Sequence, residues 1–294
     1  MRQALNNVKI EGLLVEKDLE YATFGSPARE CIRGSIKVRV KQTINGEEKI
    51  CDIPVHAFST KYTNSGSVNP SYESLEKVMN EYNSLASVGG DETKADNVRI
   101  TNAQIRMNEY YNRNNKLVSF PRITASFINR ATGVVKPCAE FTVEFVVDKK
   151  QDEMDKEGIL TGKYLITGII PQYGGKVDVV PFHALSKNVI SAVSSYWGKD
   201  DTVRAVGKLN FSSSTKEVVQ EVDFGEPQVR MQTVTESELV ITGGSQVPLD
   251  GDFAFDKGEI QSALAQRTAM LEARKNKTTT AAAPKSAGFN DLGF

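Results

Sequence analysis

Apolar and polar positions alternate most strictly between Ile32 and Lys41. Ile32, Ile36, Val38 and Val40 fall on one face there, and Arg33, Lys37, Arg39 and Lys41 on the other. This is the period of a strand with one buried side. The same period over Leu117 to Asn129 predicts a core face of Leu117, Ile123, Ala125 and Phe127. Phe120, Arg122, Thr124 and Ser126 then face the other way. Two segments switch to a spacing of three to four. Ser71 to Val88 aligns Tyr72, Leu75, Met79, Tyr82 and Ala86, opened by Asn69-Pro70 and closed by Gly89-Gly90. Lys187 to Trp197 aligns Val189, Ile190, Val193 and Trp197, with Gly198 as the stop. Both read as helices with conventional start and stop signals. A third amphipathic helix is expected over 257–275, carrying Ile260, Leu264 and Leu271. Residues 276–288 are too small and polar to pack and are expected to form a flexible linker.

The elements recur. Pro54-Val55-His56-Ala57-Phe58-Ser59 matches Pro181-Phe182-His183-Ala184-Leu185-Ser186. Upstream, the glycine-containing runs Asn7–Leu14 and Lys163–Ile170 correspond, and downstream Asp96–Ile100 corresponds to Asp201–Ala205. Three matches in the same order indicate two copies of one β-rich unit, about 1–147 and 158–247. Each copy runs as a glycine-containing strand, two more strands, a helix and two final strands, the order of the five-stranded OB-fold. The expected architecture is therefore mainly β, with two tandem five-stranded OB-fold barrels, each carrying one helix. Residues 1–147 form the first barrel with a helical insertion at 60–95, and 148–157 an acidic linker. Residues 158–256 form the second barrel, 257–275 a helix, and 276–294 a disordered linker and tip.

Composition narrows the chemistry. Hydrophobic residues make up 39% and charged residues 25%, ordinary values for a folded soluble chain. Cys31, Cys51 and Cys138 contain no CxxC pair, so neither a zinc knuckle nor a disulfide framework is implied. The two histidines lie far apart after prolines and read as structural. No P-loop, nucleophile elbow or HExxH occurs, so no cofactor, metal or catalytic residue is expected. No apolar run approaches a membrane span, and no signal-peptide pattern opens the chain, which predicts a cytoplasmic protein with no membrane partner. The net charge is only −1, but its distribution is uneven. Residues 94–136 hold eight Lys or Arg against Asp96 and Glu109, a local +6. Residues 217–259 hold ten acids against Arg230 and Lys257, a local −8.

The first copy resembles the bacterial and phage single-stranded DNA-binding proteins of the OB type. The resemblance rests on Asn6-Asn7-Val8-Lys9-Ile10-Glu11-Gly12-Leu13-Leu14, the apolar strand Ile53–Phe58, and Val98–Ile105 followed by Tyr110-Tyr111-Asn112-Arg113. It departs from that family in its long 60–95 stretch and in its second barrel. Sequence-tolerant binding of single strands needs cations along the phosphates and aromatic faces for the bases. Arg33, Lys37, Arg39 and Lys41 would supply a basic stripe. Arg99, Arg106, Tyr110, Tyr111, Arg113, Lys116, Phe120 and Arg122 would supply further charge and a stacking platform at a long hairpin. The chain ends in Phe289, Asp291, Leu292 and Phe294, similar to that family's protein-recruiting tip. Its implied partners are single-stranded DNA, replication or recombination proteins held by the tip, and further copies of the chain. Two other readings fit the pattern: a structural phage tail or baseplate protein, or a nucleic-acid-gripping accessory of a nuclease.

Overall fold

The computed structural model describes residues 1–220 and 228–281. Strands dominate. The first half carries β1 (Asn6–Phe24), β2 (Arg29–Ile44), β3 (Glu47–Thr60), helix α1 (Pro70–Glu81), β4 (Asn97–Tyr111), β5 (Leu117–Ala125) and the short β6 (Asn129–Arg130). The second half carries β7 (Cys138–Met154), β8 (Leu160–Pro171), β9 (Val177–Ala184), helix α2 (Lys187–Tyr196), β10 (Thr202–Asn210), β11 (Ser213–Gln220), β12 (Gln228–Thr235) and β13 (Glu238–Gly244). Helix α3 (Lys257–Ala281) follows.

Each half closes on itself. β1 pairs with β2, β2 with β3, β3 in parallel with β5, β5 with β4, and β4 returns to β1. The second half repeats the circuit as β7, β8, β9, β13 (parallel), β10 and back to β7. The β11–β12 hairpin is inserted before the closing strand. The rings are joined edge to edge because β1 also pairs with β7 from Asn6↔Val143 to Glu11↔Cys138. Inside, the alternation of β2 holds: Ile32, Ile36, Val38 and Val40 are buried.

Three expectations are corrected. The boundary between units is not at 147: residues 138–154 are β7, the first strand of the second ring, so 148–157 is no linker but part of the β7–β8 hairpin. Its acids shape that hairpin. Asp155 Oδ1 accepts from the amides of Glu157 and Ile159 at 3.0 and 2.8 Å. The helix expected over 71–88 stops at Glu81, because the amides of Leu85 and Ala86 donate to Leu14 and Val15 of β1 at 2.8 and 3.0 Å, which pulls that stretch off the helix axis. Residues 276–281, expected as linker, continue α3.

The two halves share one strand circuit, but one of the three sequence matches is displaced by a strand. His56 and His183 occupy third strands, and Arg99 and Arg204 fourth strands. Asn7–Leu14, however, lies in a first strand and Lys163–Ile170 in a second. Their shared glycines do different jobs. A Cβ on Gly12 would stand 2.2 Å from the Arg39 carbonyl oxygen, whereas one on Gly168 would strike the Phe145 ring at 2.5 Å. The true counterparts are Glu11 with Glu144 and Lys17 with Lys150, each pair 133 positions apart. Glu11 takes two bonds from Arg99, at 3.0 and 2.9 Å. Glu144 takes two from Arg204, at 3.2 and 2.7 Å. Lys17 donates to the Val78 carbonyl at the end of α1, and Lys150 to the Val193 carbonyl at the end of α2. A cation there satisfies the orphan carbonyls and the negative end of the helix.

Among the described residues no helix is long and apolar enough to cross a membrane, and no group of His, Cys, Asp or Glu could hold a metal ion.

Candidate nucleic-acid interface

A groove crosses the outer face of the first ring. It consists of two cavities, of about 710 and 370 Å³, that share His56 of β3 and Arg122 of β5. The larger is walled by Lys37 and Arg39 of β2, Asp52, and Phe120. Its far wall is the base of the β11–β12 hairpin, with Phe211, Ser212 and Glu236. The smaller is walled by Phe58, Asn102, Gln104, Thr124 and Ser126.

The basic stripe of β2 points outward, yet none of its cations is free. Arg33 meets Glu20 and Lys37 meets Glu16, each at 2.8 Å across from β1. Arg39 grips Asp52 of β3 with two bonds, at 2.8 and 2.9 Å, and Lys41 meets Glu48. The acids that neutralise the stripe lie on the neighbouring strands, where the alternation of β2 alone gives no sign of them. Arg99 is held by the buried Glu11, and Arg106 by Asp178 of the second ring at 2.9 Å. Burial pushes the Asp178 carboxyl up despite the Arg106 charge beside it.

Arg122 differs. It sits directly across from Arg106 in the β4–β5 register, it makes no ion pair among the described residues, and its Nε has no hydrogen-bond partner. Burial lowers its pKa, and burial together with the Arg122 charge lowers that of His56. Arg113 and Lys116 stand exposed at the hairpin turn. Asn112 builds that turn by accepting from the amides of Asn114 and Lys116, both at 3.0 Å.

The aromatics sort by strand face. Tyr110 and Phe120 are 46% and 40% exposed and meet edge to face at 6.5 Å. Tyr111 leaves β4 on the opposite side and is half-buried. That side is covered by α3, where Arg267 bonds Glu109 and Arg274 bonds the Glu109 carbonyl at 3.3 Å. Phe127 and Leu117, expected in the core, are exposed at 47% and 38%. β5 ends at Ala125, so the alternation stops before Phe127, and Ile128 turns inward instead. Leu117 lies at the hairpin end that projects beyond the ring.

The sequence reading missed a second aromatic pair, Phe24 and Phe58, with centroids 5.1 Å apart and both rings about half exposed. It also missed His56, Asn102 and Gln104. The alternation of β3 could have found Phe58, because Val55 and Ala57 mark its buried face. In the second half Trp197 is core, as expected, and donates to the Ser245 carbonyl at 2.8 Å. The tip residues Phe289, Asp291, Leu292 and Phe294 lie outside the described residues.

The profile of one protein family, YorF, matches residues 4–277. No curated protein matches the sequence. Among solved structures the chain is similar to the single-stranded DNA binding protein of Thermus aquaticus, at 13% identity and a TM-score of 0.49, over 87% of this chain and 98% of that one. It is also similar to a deletion mutant of the same protein, at 13% identity and a TM-score of 0.47, over 87% and 99% of the two chains. A likeness of that degree carries nothing about ligands.

Proposed function

The chain belongs to the YorF family, and we propose that this member is a non-enzymatic protein that binds single-stranded DNA in the groove of its first ring. The observation that carries the reading is the pairing of aromatic and cationic groups along that groove. An exposed edge-to-face pair borders each cavity, Tyr110–Phe120 at one and Phe24–Phe58 at the other, and the unpaired Arg122 stands where the cavities meet. Base stacking on such rings contributes about 1–3 kcal/mol per base and tolerates any sequence. We read both rings as OB-fold barrels, a reading supported by the strand circuit and by the helix placed between third and fourth strands.

On this reading the protein coats transiently exposed strands in the cytoplasm during phage-type replication or recombination. Phe289, Asp291, Leu292 and Phe294 recruit partner proteins, and copies of the chain associate along the strand. The test is titration of a fluorescent oligo(dT) while salt is raised from about 50 to 200 mM. Sub-micromolar binding that weakens with salt and leaves the oligonucleotide intact is the expected result. No binding at low salt would remove the reading, and shortening of the oligonucleotide with Mg²⁺ would make the protein a nuclease. Deleting residues 289–294 is expected to keep the DNA affinity and abolish capture of partners.

A further inference from the structure

The centre of the groove holds an arrangement that the stacking residues do not account for. Arg122 is a partly desolvated guanidinium with no carboxylate partner among the described residues, and its Nε is buried without a hydrogen-bond partner there. A desolvated cation left unpaired is costly unless something else supplies the missing anion. His56 lines the same two cavities from the next strand, its register partner Thr124 lying two residues from Arg122. We propose that His56 and Arg122 together form a seat for one backbone phosphate, and that a strand bound there is taken up together with a proton on His56. The inference rests on the single-strand reading above.

The sign of the effect follows from the surroundings. In the free protein, burial and the Arg122 charge hold the His56 imidazole below its usual pKa, so it is neutral at pH 7. A phosphodiester placed between the two offsets the Arg122 charge and adds a negative one, which raises the imidazole pKa. Binding then consumes a proton in the window between the free and bound pKa values, and affinity rises as pH falls through it. The other charged groups around the seat already have partners, beginning with Arg106, across from Arg122 on β4 and held by Asp178 of β9. Lys37 and Arg39 come from β2, each already paired with an acid. Asp52, on the same strand as His56, accepts both of Arg39's bonds. Glu236, at the hairpin base, titrates at about 2.

The chain has only two histidines, and His183 is outside the groove, bonded to Glu153 at 3.2 Å. That makes the experiment clean. Oligo(dT) affinity is measured from about pH 5 to 8 on the full chain, on His56→Gln and on His183→Gln, and the imidazole resonances are followed by NMR with and without oligo(dT). The expected result is an affinity that rises toward low pH by about tenfold for each unit of induced pKa shift. His183→Gln should keep that rise and His56→Gln should flatten it. The His56 resonance should titrate at higher pH in the complex. A flat native profile, an equally steep one in His56→Gln, or a His56 pKa unmoved by the oligonucleotide would overturn the seat while leaving DNA binding intact. Failure to bind at every pH would remove the single-strand reading and the seat with it.

Discussion

A strand sends successive side chains to opposite sides, so Tyr110 and Tyr111 cannot both face a ligand. Tyr110 shares its side with Arg106, Phe120 and Arg122, while Tyr111 shares its side with Glu109, to which α3 is anchored. The two substitutions should therefore separate. Tyr110→Ala is expected to weaken oligo(dT) binding about tenfold or more, from the loss of one stack, with a melting temperature close to the native one. Tyr111→Ala is expected to lower the melting temperature and leave affinity nearly as it was. Equal effects of the two on affinity would place the strand elsewhere. At this scale the sequence was legible wherever alternation had a buried partner to register against, as in Ile36, Val38 and Val40. It was not legible for Leu117 and Phe127, because alternation carries no information about where a strand outruns its ring or ends.

The elements show why a stripe of like charge can mislead. β2 alone reads as four unopposed cations, but a strand in a sheet has two neighbours, and β1 and β3 supply an acid to each cation. The exposed ones are each worth about 0–1 kcal/mol, so a phosphate can displace the acid at little cost. The abandoned carboxylate then attracts a cation of its own, which reduces the net release of counterions on binding. The half-buried, two-bonded Arg39–Asp52 pair holds its cation more firmly. Asp52→Asn leaves Arg39 unclaimed at the wall of the groove. It is expected to tighten oligo(dT) binding by up to about fivefold and to steepen the log–log salt dependence by up to about 0.7. Unchanged affinity and slope would mean that Arg39 does not reach the strand. The repeat teaches the same lesson about elements. The His-containing strands and the Val-Arg strands were found because they do the same structural work in both rings. The first strands were mismatched because a glycine that permits a close backbone approach looks identical in sequence to one that makes room for a ring. The better signal was apolar-x-apolar-Glu followed six positions later by Lys, in which both polar residues have a partner to hold.

The whole molecule depends on how the second ring is fastened to the first, by the β1–β7 pairing and, beside the groove, by polar side chains around Glu236. Lys49 of β3 reaches Glu236 at 2.5 Å, Asn210 and Ser212 add bonds to the same carboxylate at 3.0 and 3.2 Å, and Lys163 bonds Glu238 alongside. Gln42 donates to the Leu209 carbonyl at 2.8 Å, and Lys208 to the Thr43 carbonyl at 2.9 Å. These bonds place the base of the β11–β12 hairpin as the far wall of the larger cavity, so that part of the groove keeps its shape only while the rings stay fastened. Burial alone would raise the Glu236 pKa; the hydrogen bonds from Lys49 and Asn210 and the charges of Lys49 and Lys163 outweigh it and hold the group at about 2. A carboxyl whose folded pKa is depressed stabilises the fold above its unfolded value and loses that contribution as pH falls through the folded one. The fastening should therefore be at full strength above about pH 4.5 and weaken progressively toward pH 2. Glu236→Gln removes the titrating group. Its melting temperature is expected to lie below the native one at pH 7, and the gap is expected to close as the native protein is taken from pH 4.5 down toward 2. A gap that stays constant over that range would show that the charge of the carboxylate contributes nothing to holding the rings together, and the far wall of the larger cavity would then need another cause.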